Sequence, residues 1–490
     1  MSKLKKFTNI LTANHIIAGL IICFIIFLIL SWIIVFRDPR AIIGVGNFYP
    51  SIQNELFPIQ TKLTTYGLNT IPTLLFGLVS VIAFFLYLFS LRVTISAKKT
   101  IIFASLLGSI TFLSFPILST DIFSYIMSER VATTHGDNIW HTKPNAFPDD
   151  QFAVLADWKD TTSVYGMLHY FLYLGPSLIG GDNLALLVVL YKIIPSLFAI
   201  GSMIVMQMIL SHQKIKHSSV ILRLLFWNPL VILELFGSGH NDSMMLFFTL
   251  LSILFAYRHK WFFSGIAIAC AVQIKLIPIV LFGVYALHLI RTKKIDYLSP
   301  YITGFSMINA LSFAFMQISI VDFLQRVAYN GGVYWQSLPT IVSTFYPVAL
   351  PAITYIFIAW VLWFITRAFI KKREPINQYT IILLVYLFFV SAAFWNWYVL
   401  WILFFLPWIT SPRVRSMILL FSLTALLAYP FLWIIYRINT PSDYWSIAQY
   451  LFIFIIPVFG YFLFGRYSII HSKVANYFSL DKLIVEQPKN

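Results

Sequence analysis

Long apolar runs recur along the whole chain, and no other feature of the sequence limits the fold so strictly. In hydrocarbon every backbone N–H and C=O must find its partner within the segment, so such runs cross a bilayer as helices. They fall at 16–36, 71–91, 101–118, 184–210, 220–236, 243–257, 261–274, 276–290, 301–318, 348–366, 379–394, 398–409, 417–435 and 447–464. The expected fold is all-α, a polytopic membrane helical bundle of about 12–14 transmembrane helices. With 59% hydrophobic and 11% charged residues and a mean hydropathy of +0.83, the chain lies outside the range of soluble globular proteins.

The first run follows a basic flank of Lys3, Lys5 and Lys6. It is longer than a signal-peptide core and shows no small-residue cleavage site, so it reads as a retained span. Cys23 and Cys270 lie in apolar runs, and no Cys/His spacing suggests zinc. The net charge of +16 is accompanied by no basic helix or RNA-binding signature. Its expected use is to orient membrane helices, and no nucleic acid partner is expected.

Sidedness follows from the basic residues. With a cytoplasmic N-terminus and 261–290 read as a hairpin with Lys275 at its tip, most of the 34 Lys and Arg fall in cytoplasmic loops. A single helix over 261–290 would reverse every later loop and remove that bias. This scheme makes the chain a multi-pass cell-membrane protein with both termini cytoplasmic. It gives one membrane domain over 1–465 and a basic cytoplasmic tail over 466–490. The longest loop, 119–182, is extracytoplasmic and gathers acids: Asp121, Glu129, Asp137, Asp149, Asp150, Asp157, Asp160 and Asp182. Within it "YGMLHYFLYLGPSLIG" (165–180) is too short to cross and suits an interfacial or re-entrant helix.

Ionisable groups at membrane depth cost several kcal/mol unless paired or solvated, so they mark function by default. "STDIFSYIMSER" holds Asp121, Tyr125, Glu129 and Arg130. If a helix continues beyond Pro116, Asp121, Tyr125 and Glu129 share one face; alternatively Asp121 caps a short helix. "WNPLVILELFGSGHNDSMM" places Asn228, Glu234 and a glycine-rich turn ahead of His240, Asn241 and Asp242. His-Asn-Asp is no diagnostic metal spacing, so no cofactor is expected. Lys275 either snorkels to the interface or holds an anionic phosphate, and Arg326 is a second candidate for bidentate phosphate contact. Trp158, Tyr165, Tyr334, Trp335 and the run "FWNWYVLWILFFLPW" (394–408) read as an interfacial aromatic belt or as sugar-stacking platforms.

Between residues 110 and 410 the chain resembles the GT-C integral-membrane glycosyltransferases, and among them the bacterial polyprenol-phosphate-mannose-dependent mannosyltransferases. The resemblance rests on "STDIFSYIMSER", on Trp158 and Tyr165–Gly166, on "NPLVILELFGSGHNDSMM", on "SGIAIACAVQIKLIPIVL" and on "NWYVLWILFFLPW", in that order. The chain departs in two respects: two extra spans precede the loop, and "NIWHTKPNAF" (138–147) stands where "NPY" is usual.

The resemblance implies transfer of a hexose, mannose by preference, from a polyprenyl-phosphate donor to a glycolipid or glycan acceptor of the cell envelope, on the outer face. It maps the presumed base onto Asp121. A glycosyl phosphate carries its own leaving group, so one carboxylate and a cation meet the chemical need. The alternatives are a transporter or flippase of lipid-linked sugars, with Lys192 and Glu234 as mid-membrane charges, and a polymerase using a polyprenyl diphosphate donor.

Overall fold

Apolar runs become helices in this chain except where proline, glycine or a buried polar side chain interrupts them. The computed structural model describes residues 12–37, 70–215, 218–329, 336–370, 374–409, 411–438 and 443–466. Lys3, Lys5, Lys6, Tyr334, Trp335 and nearly all of the proposed tail over 466–490 lie outside the described residues.

The helices of the first half are α1 (Ala13–Arg37), α2 (Thr70–Ser90), α3 (Ala97–Phe112), α4 (Asp121–Thr133), α5 (Met167–Gly180), α6 (Leu184–His212), α7 (Ser218–Phe226), α8 (Asp242–Tyr257) and α9 (Trp261–Ile274). The second half adds α10 (Ile279–Arg291), α11 (Ile295–Met316), α12 (Ile320–Tyr329), α13 (Leu338–Phe345), α14 (Leu350–Ile370), α15 (Pro375–Phe389), α16 (Pro412–Ile438), α17 (Asp443–Tyr450) and α18 (Ile456–Arg466). The protein is an all-helical polytopic membrane protein. Among the described residues five helices are long and apolar enough to cross a membrane, or seven if each of two bent pairs is one span. Five shorter apolar helices complete the set, so the expected 12–14 is approached only when these are counted.

α1, α2 and α16 pack side by side, and α6, α8, α9 and α11 form a second group. Between α8 and α9 the hydroxyls of Ser252 and Ser264 lie 2.9 Å apart and each donates to the other's carbonyl. Such bonds hold helices together where lipid removes the hydrophobic drive.

The stretch 261–290 is a hairpin, as the charge bias requires. The rings of Trp261 and Tyr285 are 5.6 Å apart, whereas a continuous helix would separate them by about 36 Å. Lys275, in extended backbone, sits at the tip.

Three expected spans are not continuous helices over their full runs. The run 101–118 yields α3, which stops at Phe112; the buried Lys192 ammonium donates to the carbonyls of Phe112 and Ser114 at 2.6 and 2.7 Å. A cation on terminal carbonyls is where a helix end favours it. The run 220–236 bends by 62° between α7 and the turn beginning at Pro229. Asn228 makes that break, accepting the Leu230 N–H at 3.0 Å and donating to Ser422 Oγ at 2.9 Å. The run 398–409 is a chain of short 3₁₀ and α turns, nearly all of it buried. Irregular backbone at membrane depth is tolerated only inside protein or along a cavity, and here it lies inside.

Candidate active site

The loop 119–182 is fastened to the bundle before it contributes any chemistry. Arg130 donates from Nε to both Asp150 oxygens, at 3.1 and 3.0 Å, and from Nη1 to the Gly181 carbonyl at 2.8 Å, with Asp182 Oδ1 2.9 Å from the same nitrogen. His135 pairs with Asp150 at 2.8 Å. Burial alone would raise the Asp150 carboxyl, but the Phe152 N–H, His135 and Arg130 hold it below its usual value. Arg326 of α12 donates to the Trp140 carbonyl, in a small satellite core of Val131, Ile139, Trp140, Met316, Ile318 and Phe323. Arg130 and Arg326, both expected at substrate, are engaged in holding this loop.

That fastening places the start of α4 over the bundle. Thr120 occupies the N-cap position and Asp121 the first helical position, so the Asp121 side chain does not cap the helix. The Thr120 hydroxyl is turned to Asp157. The helix does not run on from α3, yet the expected i, i+4 relation is realised within α4. Tyr125 donates to Asp121 Oδ2 at 3.3 Å, and the carboxylate keeps 16% of its surface exposed.

Opposite stands the turn after the bent helix. Leu233–Gly237 is one π-helical turn carrying Glu234, and Gly239 follows at φ +70°, a backbone that only glycine adopts without cost. His240 is thereby set between two carboxylates. Its Nε2 lies 3.2 Å from Glu234 Oε2 and its Nδ1 3.6 Å from Asp121 Oδ2. The ring stacks on Trp397 at 4.1 Å, and the Tyr429 hydroxyl of α16 donates to the other Glu234 oxygen. His240 and Glu234 are wholly buried.

Asp242 opens α8 and is fully occupied. Lys275 Nζ donates to Oδ2 at 2.6 Å and the Trp401 indole donates to Oδ1 at 2.6 Å. The ammonium also lies 5.5 Å from the Tyr398 ring and 5.7 Å from Trp401. The buried Asn241 turns its amide to Tyr165.

The two halves meet through Tyr165 and Gly166. The Gly166 N–H donates to the Gln273 carbonyl at 2.7 Å, and a Cβ there would fall 1.9 Å from Gln273 Oε1. Tyr125, Tyr165 and Tyr398 all lie within electrostatic reach of both Asp121 and Asp242. Behind Tyr165 its ring stacks on His169 at 4.1 Å, and His169 Nδ1 lies 3.6 Å from Glu129, whose oxygens have no hydrogen-bond partner. Burial drives the Glu129 carboxyl well above the usual carboxylate range.

The structure therefore brings together Asp121, Tyr125, Tyr165, Glu234, His240, Asn241, Asp242 and Lys275. Glu129 lies in a layer behind them, and Trp158 stands at the rim with its ring 6.3 Å from that of Trp395. Asn228 is a structural cap. Sequence reading missed the roles of Trp397, Trp401, Tyr398, Tyr429 and Gln273. The "NWYVLW" stretch (396–401) is no belt: Trp397 and Trp401 are buried against His240 and Asp242. No group of three His, Cys, Asp or Glu side chains with metal-holding geometry occurs among the described residues.

Residues 43–291 match the family model described as alpha-(1->6)-mannopyranosyltransferase, N-terminal domain, and the chain belongs to that family. The matched segment contains every site residue from Asp121 to Lys275. The chain is also similar to alpha-(1->6)-mannopyranosyltransferase A of Corynebacterium glutamicum, with 32% identity over 171 residues. That alignment covers 33% of this chain and 32% of the relative, so the chain spans about a third of the length of the relative it matches. No solved structure matches it.

Proposed function

We propose that this member of the alpha-(1->6)-mannopyranosyltransferase family transfers mannose from a polyprenyl-phosphate donor to a glycolipid or glycan acceptor at the extracytoplasmic face of the membrane. The observation that carries the reading is the Asp121 carboxylate. It is released from capping, accepts a long hydrogen bond from Tyr125 and no other among the described residues, and is partly open at the start of the acidic loop. Asp121 removes the acceptor hydroxyl proton as the acceptor oxygen attacks the sugar C1. The C1–O bond to phosphate breaks, and its electron pair leaves with the phosphate.

Lys275 faces that leaving phosphate. It is 15% exposed, and Asp242 takes one of its three donor directions, leaving the others for the phosphate. Trp401 and Tyr398 orient the pair. Because one carboxylate and one cation suffice, the site differs from the paired carboxylates of a glycosidase. Mannose is assigned from the family description and from the name of the corynebacterial relative.

A transporter reading would need Lys192 and Glu234 as mobile charges. Lys192 is bound to two carbonyls and Glu234 to Tyr429, which favours the transferase. The test is to incubate membranes containing the protein with labelled polyprenyl-phosphate mannose. The transferase reading predicts label in a new glycosidic product. Label that changes membrane face without a new bond would replace it with transport.

A further inference from the structure

Tyr429, Glu234, His240 and Asp121 form a continuous chain from α16 to the open carboxylate. The Tyr429 hydroxyl donates to one Glu234 oxygen, the other is 3.2 Å from His240 Nε2, and His240 Nδ1 is 3.6 Å from Asp121 Oδ2. Neither His240 nitrogen has a hydrogen-bond partner among the described residues, and both are buried. Trp397 covers one face of the ring, leaving no room for a sugar there. An imidazole with two carboxylates on its two nitrogens is arranged to move or hold a proton, not to read a substrate.

We propose that His240 is the proton-holding and positioning partner of Asp121, with Glu234 as the group that fixes its orientation. The proposal rests on the transferase reading given above. In the resting state Nε2 is the protonated nitrogen, on the Glu234 side, and the unprotonated Nδ1 faces Asp121, ready to take a proton. During transfer the acceptor O–H proton passes to Asp121 Oδ2 and on to Nδ1, while the C1–O bond forms and the bond to phosphate breaks. His240 then carries one positive charge between Glu234 and Asp121, and returns the proton through the partly exposed Asp121 after product leaves. The 3.6 Å gap shortens in the reacting complex, as catalytic contacts commonly do. The titratable groups around the imidazole are Asp121 and Tyr125 of α4, Glu234 of the π turn, Tyr429 of α16, and Asp242 with its partner Lys275.

The test compares His240→Gln and Tyr429→Phe with the wild type, in transfer from labelled polyprenyl-phosphate mannose in H2O and in D2O. His240→Gln is expected to lower kcat about 10²-fold or more, with KM for the donor within about twofold. It is also expected to lower the solvent deuterium isotope effect on kcat, since only one proton is then in flight. Tyr429→Phe, which keeps the shape of the core, is expected to lower kcat by less and to keep the isotope effect. A loss confined to KM, or a solvent isotope effect unchanged in His240→Gln, would overturn the proposal. Asp121→Asn separates the two readings. If it abolishes transfer while His240→Gln behaves as wild type, only the relay fails; if Asp121→Asn transfers normally, the base assignment itself fails.

Discussion

Lys275 Nζ and Asp242 Oδ2 are 2.6 Å apart, at the junction of a hairpin tip and the first turn of α8. With Trp401 on the other oxygen, each Asp242 oxygen already accepts a hydrogen bond, and Asp242 supports Lys275. Removing one member of a buried pair costs about 3–5 kcal/mol, because the other is left uncompensated. Asp242→Ala is therefore expected to lower the thermal unfolding midpoint in detergent markedly, whereas Asp121→Asn is expected to leave it unchanged. Unfolding followed by intrinsic fluorescence compares the two directly.

Gly166 is the point at which the acidic loop touches the hairpin. An alanine Cβ would lie 1.9 Å from Gln273 Oε1 and 3.1 Å from the Gln273 Cα, so side chain and backbone must both move. Gly166→Ala is expected to cost about 1–3 kcal/mol by overpacking and to reduce transfer by displacing Tyr165 and Lys275 together. Paired melting curves and initial rates check both parts.

These two contacts mark how far the sequence could be read. Helical membrane architecture followed from the apolar runs, and the hairpin at 261–290 from charge alone, as the Trp261–Tyr285 contact bears out. Asp121, His240, Asp242 and Lys275 were legible because charges in apolar surroundings are expensive. The burial of 394–408 was not legible, since Trp and Tyr at an interface and Trp and Tyr around a carboxylate look alike in one dimension. The engagement of Arg130 and Arg326 with the loop was equally hidden, because their partners Asp150 and Trp140 are fixed only by the folded loop.

Glu129 gives a pH signature. Its native carboxyl is raised by burial, so its protonated form supports the fold below the ordinary Glu value of about 4.3. That support is lost progressively as pH rises above it. Glu129→Gln mimics the protonated acid and lacks this slope. The variant and wild type are expected to melt alike near pH 4, with the variant increasingly more stable towards pH 8. Melting curves across that range measure the difference.

Asp150 gives the opposite sign. Its carboxyl is held below the ordinary value, so its contribution is present above about pH 3.9 and is lost as pH falls below it. Arg130→Ala removes the main ties of the loop to Asp150, Gly181 and Asp182. It is expected to open residues 134–166 to limited proteolysis at neutral pH while the helical bundle stays protected. Mass analysis of the fragments locates the cuts.

The central claim is that Asp121 is the base of a sugar transfer from a lipid-phosphate donor, and one assay tests it most directly. Purified wild-type and Asp121→Asn protein in lipid vesicles are supplied with labelled polyprenyl-phosphate mannose and an acceptor-bearing membrane extract. The account predicts that Asp121→Asn loses transfer by about 10²-fold or more with an unchanged unfolding midpoint. Transfer at the wild-type rate by Asp121→Asn would contradict it.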